Sequence, residues 1–189
     1  MRIIGGKFRG KKLTWLQDTD TRPTTDRVRE NIFNILSTRI RGAIVLDLFA
    51  GCGAFSAEAL SRGAKQVIAN DSSKEAVEII TKNIESLEQH HTNQVRDNNR
   101  LGKVKIFQSD FRTLIPKLSG FKFDVVFLDP PYFSGFASLA VELLIRDDLL
   151  APNAKIIIES DKGEDISLPL ACTERIYGRA KVRICLPSL

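Results

Sequence analysis

The sequence has few of the residues that build disulfide frameworks and metal sites. Its three cysteines, Cys52, Cys172 and Cys185, lie far apart and form no C-x-x-C pair, and only two of its 189 residues are histidines. We therefore expect neither a disulfide framework nor a metal site. We also predict that the protein works in the reducing environment of the cytoplasm.

Long apolar runs are also absent. No run approaches the roughly 18 residues that a membrane-spanning helix needs, and the start, MRIIGGKFRG, lacks the apolar stretch of a signal peptide. Hydrophobic residues make up 43% of the chain and charged residues 27%, which is ordinary for a folded globular protein. The length predicts one domain with a short appendage, and we expect a monomer with no membrane partner.

Positive charge is concentrated at the start of the chain. Residues 1–41 contain ten lysines and arginines against four aspartates and glutamates, whereas residues 42–189 contain 18 basic and 19 acidic side chains. This division predicts a polyanion-binding extension over residues 1–41 and a nearly neutral body over residues 42–189. A solvated basic face without a partner is the alternative interpretation.

Strand and helix patterns alternate along the body. Strands are predicted at 43–46, 67–69, 104–107, 123–128 and 156–158, helices at 54–62, from 73, at 111–118 and at 139–150, and a hairpin at 171–177 and 180–186. This rhythm predicts an α/β fold with a Rossmann-like, doubly wound, mostly parallel sheet of seven strands. Ligands of such sheets bind beyond the carboxyl ends of the strands. Ahead of the sheet we expect a glycine-rich β-hairpin and a helix capped by Thr24 or Thr25, and we interpret the polar stretch 88–103 as a surface loop.

A glycine-containing turn, DLFAGCGA at 47–54, follows the first predicted strand. Gly51 and Gly53 allow the backbone to turn sharply and to approach a ligand closely. Ser56 stands where a dinucleotide-binding turn has its third glycine, and no Gly-Lys-Ser/Thr follows, so neither NAD nor ATP is expected. The Asp47 carboxylate would repel a pyrophosphate but would suit an ammonium or sulfonium group, and S-adenosylmethionine carries both. A turn that only packs is the alternative.

A rigid turn, Asp129-Pro130-Pro131-Tyr132, follows the fourth predicted strand. Its two prolines remove two backbone donors and restrict the backbone. An exocyclic amine of a nucleobase is a poor nucleophile, because its lone pair is delocalised into the ring. Hydrogen bonds from that amine to the Asp129 carboxylate and the Pro130 carbonyl would direct the lone pair at a methyl group, while Tyr132 could stack on an extruded base. A proline-rich strand terminator is the alternative.

Together these segments resemble the class I S-adenosylmethionine-dependent methyltransferases, and more narrowly the bacterial RsmD-type 16S rRNA (guanine-N2)-methyltransferases. The resemblance rests on RIIGGKFRGKKL at 2–13, RPTTDRVRENIFNIL at 22–36, VLDLFAGCGAFSAEALSRGA at 45–64 and DVVFLDPPY at 124–132. It implies S-adenosyl-L-methionine as the methyl donor, no metal, and the small ribosomal subunit as the partner. It also implies the exocyclic N2 amine of guanine 966 in the 16S rRNA as the target.

The resemblance further implies roles for individual residues. The target amine would be held by Asp129, Pro130, Pro131 and Tyr132, and the cofactor would be bound by Asp47, Phe49, Gly51, Gly53, Asp110 and Phe111. Ribosomal RNA would be bound by Arg2, Lys7, Arg9, Lys11, Lys12, Arg22, Thr24 and Arg27, with the segment 22–25 closing over the site. The chain has Ala69 where the family usually carries a ribose-binding glutamate, so Asn70 or Asp71 is expected to make that contact.

Two other functions fit parts of the pattern. The D-P-P-Y turn serves adenine N6 equally well, which allows a DNA adenine-N6 methyltransferase, although the chain has no room for a separate target-recognition domain. Ala69 allows an rRNA-binding assembly factor with a degenerate cofactor site.

Overall fold

The computed structural model describes residues 1–15, 25–94 and 101–187. The expected contacts of Arg22 and Thr24, and closure by the segment 22–25, fall wholly or mainly outside the described residues. The helices are α1 (Asp26–Ile35), α2 (Ala54–Ser61), α3 (Lys74–Gln94), α4 (Phe111–Leu114, continued by a 3-10 turn over Ile115–Leu118) and α5 (Phe136–Arg146). The strands are β1 (Ile44–Asp47), β2 (Gln66–Asp71), β3 (Lys103–Gln108), β4 (Phe123–Leu128), β5 (Leu150–Asp161), β6 (Ala171–Tyr177) and β7 (Ala180–Leu186).

The seven strands form one sheet in the order β3-β2-β1-β4-β5-β7-β6. Strands β1 to β5 pair in parallel, and β7 runs antiparallel to both of its neighbours. The predicted Rossmann-like fold is therefore confirmed. The chain builds one half of the sheet outward from β1 and the other half outward from β4, so the strand order switches between these two strands, where such folds bind their ligands.

Strands β1 and β4 are apolar because both of their faces are covered. Val45 and Val125 belong to the apolar cluster on one face of the sheet, together with residues of α1, α2 and α3. Leu46 and Val126 belong to the cluster on the other face, together with residues of α4 and α5. Alternation between two buried faces produces the continuous apolar runs of the sequence.

Helix α1 lies over the carboxyl end of β4. The side chain of Thr25 accepts a hydrogen bond from the backbone N–H of Val28 at the start of the helix, so one of the two predicted caps is confirmed. The ring of Phe33 packs against the rings of Phe55 and Phe127, at centroid distances of 6.2 and 5.5 Å.

The N-terminal segment contains less β-structure than predicted, because its arms share a single antiparallel bridge between Arg2 and Lys12. Polar groups of α2 tie it to the body instead. The Glu58 carboxylate accepts hydrogen bonds from the backbone N–H groups of Ile4 (2.7 Å) and Gly5 (2.8 Å). The Phe8 side chain is buried in the same cluster as the body. Division of the chain after residue 41 stays a prediction.

The loop predicted over 88–103 is wrong at both ends. Helix α3 continues to Gln94, and β3 begins at Lys103. The rings of His90 and His91 lie edge-on to the ring of Phe8, at centroid distances of 5.9 and 6.4 Å. The polar composition of this stretch concealed its helix, because the apolar residue that packs on it comes from the distant N-terminal segment.

The expectation that the cysteines form no disulfide is also wrong. Cys172 and Cys185 face each other across the β6–β7 ladder, with Cα atoms 4.1 Å apart, and are joined by a disulfide bond. The hairpin register brings them together, since Tyr177 pairs with Ala180 across a two-residue turn. Counting back from that turn places Cys172 opposite Cys185, so the predicted hairpin already contained the information.

Candidate active site

The two turns singled out in the sequence lie beside each other at the carboxyl end of the sheet. Asp47, the last residue of β1, pairs with Phe127 of β4, and the backbone N–H of Leu48 donates to the carbonyl of Phe127 at 3.1 Å. Asp129 follows two residues later. Its carboxyl group is near enough to help raise the pKa of Asp47. The glycine turn and the D-P-P-Y turn therefore border one site.

Asp47 is a buried carboxyl group with an unusual proton affinity. Its Oδ2 accepts hydrogen bonds from the backbone N–H of Ser56 (3.0 Å) and from the Ser56 hydroxyl (2.6 Å). Burial raises its pKa to about 7 against the opposing effect of these two bonds, and the negative charges of Asp129 and Asp71 add to the rise. A bound cation would stabilise the ionised carboxylate and lower this pKa.

The glycine turn adopts the left-handed backbone conformation that its two glycines allow. Gly51 has φ of +54° and Gly53 has φ of +74°, which side chains with a Cβ rarely adopt. The backbone N–H of Gly51 donates to Asp71 Oδ2 at 2.8 Å. The turn is thereby fixed to the end of β2.

The end of β2 contains the two candidates for the contact that Ala69 cannot make. Asn70 is buried, and its Nδ2 donates to the carbonyls of Leu48 (3.0 Å) and Ser109 (3.1 Å). Its Oδ1 has no hydrogen-bond partner among the residues that the structure describes. Asp71 is half-buried. Asn70 therefore braces the residues that follow β1 and β3, and both carboxylate oxygens of Asp71 accept backbone hydrogen bonds, from Gly51 and Ser73. A ribose contact by either residue stays a prediction.

An aromatic cluster lies beyond β1 and β3. The ring centroid of Phe111 is 5.1 Å from that of Phe49 and 5.2 Å from that of Phe136. Asp110 caps α4 by accepting the backbone N–H of Arg112 at 2.8 Å, and the Arg112 side chain and backbone lower its pKa to about 2. The sequence analysis singled out Phe49 and Phe111 but not Phe136, the first residue of α5.

The D-P-P-Y turn presents aromatic side chains to solvent beside an acid. Pro130 is buried and Asp129 half-buried, whereas Tyr132 is 41% and Phe133 67% exposed. Burial, followed by the negative charges of Glu159, Asp129 and Asp161, raises the pKa of Tyr132, so its phenol stays neutral at physiological pH. Sequence reasoning did not single out Glu159, which lies near the end of β5.

Comparisons with known proteins identify the family of this chain. The sequence model described as "Conserved hypothetical protein 95" matches residues 1–185. The chain belongs to this RsmD-type family of class I methyltransferases. A relative in Haemophilus influenzae, named Ribosomal RNA small subunit methyltransferase D, is 38% identical over 169 residues, which are 89% of this chain and 83% of the relative.

Other members of this family are similar to this chain in sequence and in structure. The Escherichia coli K12 protein of the same name is 35% identical over 161 residues, which are 85% of this chain and 75% of that protein. A solved structure from Escherichia coli, of a provisionally assigned methyltransferase called yhhF, superposes with a TM-score of 0.80 at 32% identity. The superposition covers 98% of this chain and 97% of the other.

In this member of the RsmD-type family, most but not all of the basic side chains of the N-terminal segment are exposed to solvent. Arg2, Lys7, Arg9 and Lys12 are exposed and Lys11 is half-buried, and Arg27 is exposed on α1. The Lys11 amine donates to the carbonyl of Ser86 at 2.6 Å. The Arg2 guanidinium pairs with Asp26 at 3.3 Å. Lys7 Nζ lies 2.8 Å from Nδ1 of His91. Arg2, Lys7, Arg9 and Lys12 are thus exposed cations of the N-terminal segment, of which Arg2 and Lys7 also contact other parts of the chain.

Within residues 1–15, 25–94 and 101–187, no three histidine, cysteine, aspartate or glutamate side chains converge as a metal ion would require. Within the same ranges no helix combines the length and apolarity needed to cross a membrane.

Proposed function

We propose that this protein methylates the exocyclic N2 amine of a guanine in 16S rRNA, with S-adenosyl-L-methionine as the methyl donor. The names of the relatives support methyl transfer to the RNA of the small ribosomal subunit. The observation that carries the proposal is the convergence of Asp47 and Asp129 at the switch in strand order. Guanine 966 is the target that the family resemblance suggests, and the bacterial cytoplasm is where such a substrate occurs.

The residues beyond β1, β2 and β3 fit the cofactor. S-adenosylmethionine supplies a methyl group made electrophilic by its sulfonium. The buried carboxyl of Asp47, with its pKa of about 7, suits the positively charged end of that molecule. Asp71 would accept hydrogen bonds from the ribose hydroxyls in place of the glutamate that Ala69 replaces. Phe111, in its aromatic cluster, would contact the adenine.

The D-P-P-Y turn would hold the nucleophile. The Asp129 carboxylate and the Pro130 carbonyl accept hydrogen bonds from the two N–H groups of the amine and so direct its lone pair outward. The exposed ring of Tyr132 stacks on the extruded base, a contact worth about 1–3 kcal/mol in other proteins. Since the turn is rigid, its placement of the target amine in line with the methyl group of the cofactor contributes much of the rate enhancement.

The decisive experiment measures which base is methylated and at which atom. Small subunits lacking the modification are incubated with the protein and isotopically labelled S-adenosylmethionine, and the nucleosides are then identified by mass spectrometry. We expect label in N2-methylguanine. In a parallel reaction with duplex DNA, label in N6-methyladenine, with none in the guanine product, would favour the DNA enzyme. Binding of rRNA without binding of the cofactor would favour the assembly factor.

A further inference from the structure

A cavity adjoins the D-P-P-Y turn on the side of α5. It lies between the start of α5 and the segment that follows β5, and its volume is about 260 Å³. The residues that line this cavity, called here the Phe133 cavity, are Phe133, Gly135, Ala137, Ser138, Glu164, Asp165 and Ile166. The Ser138 hydroxyl donates to the carbonyl of Ser167 at 3.1 Å and so joins the two walls. Since Phe133 directly follows Tyr132, the cavity is next to the place proposed for the target base.

One of the acids that line the Phe133 cavity is buried. Glu164 is only 8% exposed. Its backbone is fixed, because its N–H donates to the carbonyl of Asp161 at 3.0 Å and its carbonyl accepts from Arg183 Nη2 at 2.9 Å. Its carboxylate has no hydrogen-bond or ion-pair partner within the part of the chain that the structure describes. Buried carboxylates are stabilised by hydrogen-bond donors, and an N–H group that enters the cavity would supply one.

The other groups that line the cavity define the chemistry of its occupant. The ring of Phe133 is 67% exposed and offers a flat apolar surface on which a nucleobase can stack. Glu164 and Asp165 supply carboxylates, which accept hydrogen bonds but do not donate them. Among the described residues that line the cavity there is no lysine or arginine, so a phosphate would be repelled. A nucleobase with an amino group combines a flat ring with N–H donors and therefore matches both the aromatic ring and the acids.

The size and the position of the cavity indicate where that base comes from. The cavity is smaller than the roughly 300–1,000 Å³ of pockets for drug-sized ligands, which suits a single ring system. The Cα atoms of consecutive residues are about 3.8 Å apart, so Phe133 lies beside Tyr132, on which the target base would stack. An RNA that delivers its target base to Tyr132 brings the neighbouring nucleotides to this place as well.

We propose that the Phe133 cavity binds the nucleobase next to the target guanine in the rRNA. This base stacks on Phe133, and its exocyclic amino group donates to the Glu164 carboxylate. The inference rests on the proposed function, because it takes an RNA as the ligand. It adds a sequence preference to that function. Adenine, cytosine and guanine, each of which has an amino group, are accepted beside the target in preference to uracil, which has none.

Methyl transfer to small subunits with altered rRNA tests the inference. Each of the two neighbours of the target guanine is changed in turn to every base, and kcat/KM is measured with isotopically labelled S-adenosylmethionine. At one of the two positions we expect the unaltered protein to use uracil about 10- to 100-fold less efficiently than the amino-bearing bases, since hydrogen bonds to charged groups contribute that much. Glu164→Gln should lose the preference, because an amide also donates to the carbonyls of uracil. Glu142→Gln, at an exposed position on α5 outside the cavity, should retain it.

A second variant keeps the test decisive if Glu164→Gln does not fold. Phe133→Ala changes an exposed side chain and should lower kcat/KM by about 10-fold through the loss of stacking, while the calorimetric Kd for the cofactor stays unchanged. An unaltered kcat/KM in Phe133→Ala would overturn the inference.

The remaining outcomes separate this inference from the proposed function. A preference that persists in Glu164→Gln, or equal use of all neighbours by the unaltered protein, would overturn the inference and leave the proposed function intact. Equal use of all neighbours together with a defect in Phe133→Ala would instead assign the cavity to a protein of the small subunit. No methylation of guanine N2 with any neighbour would overturn the proposed function and the inference together.

Discussion

Replacement of Asp47 by asparagine should abolish the loss of stability that the wild-type protein shows as the pH rises to neutral, and it should weaken cofactor binding. The pKa of this carboxyl rises from an ordinary 3.8 to about 7 on folding, chiefly through burial. The folded state therefore binds a proton more tightly than the unfolded state does, and the wild-type protein loses stability as the pH rises from about 4 to 7. An asparagine does not titrate, so the variant escapes this loss.

The size of the effect follows from the interval between the two pKa values. Each pKa unit corresponds to 1.36 kcal/mol. The unfolding free energy of Asp47→Asn relative to wild type should consequently increase by about 3 to 4 kcal/mol between pH 4 and pH 7.5. Urea unfolding followed by circular dichroism, with both proteins at both pH values and without ligand, measures this difference.

A constant difference between the two proteins across that pH range would refute the reasoning. Ser56→Ala provides a second check, because it removes the hydroxyl hydrogen bond that lowers the pKa of Asp47. In that variant the loss of stability should continue to a higher pH. Titration with S-adenosylhomocysteine should show weaker binding to Asp47→Asn than to wild type, since the variant offers no negative charge to the ligand's ammonium.

Three further predictions address catalysis, RNA binding and folding. Asp129→Ala should reduce kcat by about 100-fold or more while leaving the calorimetric Kd for the cofactor unchanged, because its role is confined to the nucleophile; an equal loss in both would contradict this. Joint replacement of Lys7, Arg9 and Lys12 by alanine should weaken rRNA binding and flatten its salt dependence in filter-binding assays, and an unchanged slope would exclude this surface. Glu58→Ala should lower the unfolding free energy by about 3–5 kcal/mol, because it leaves the Arg62 guanidinium, 2.7 Å from Glu58, without this partner and removes the acceptor of the Ile4 and Gly5 N–H groups. A change below about 1 kcal/mol in urea titrations would contradict its anchoring role.

The sequence predicted the sheet well, because its central strands are buried on both faces. Burial on both faces produces unbroken apolar runs in the sequence. The residues that follow such runs lie at the carboxyl end of the parallel sheet, however the side chains pack. For that reason Asp47, Asn70 and Asp129 could be located before the structure was known. Their roles in binding and catalysis remain predictions.

Features that depend on contacts between distant segments escaped prediction. Helix α3 continues into a polar stretch whose histidines pack on Phe8. The burial of Arg29 was not predicted either, since it depends on the carbonyl of Arg2, 27 residues away in the sequence, as well as on its helix neighbour Asp26. In each case the partner that determines the structure comes from a distant part of the sequence, and local periodicity does not identify such a partner.

Helix α2 connects the two parts of the protein that would bind the proposed rRNA substrate, the N-terminal segment and the turns at the carboxyl end of the sheet. Within six residues it braces Asp47 through Ser56, holds Ile4 and Gly5 through Glu58, and holds Phe8 through Ser61. A phosphate bound by the basic N-terminal segment and a base bound at the D-P-P-Y turn would thus lie at a fixed distance from each other. The protein would then select RNAs whose folded structure places a phosphate and the target base at that distance, in addition to any selection by contacts to the base itself.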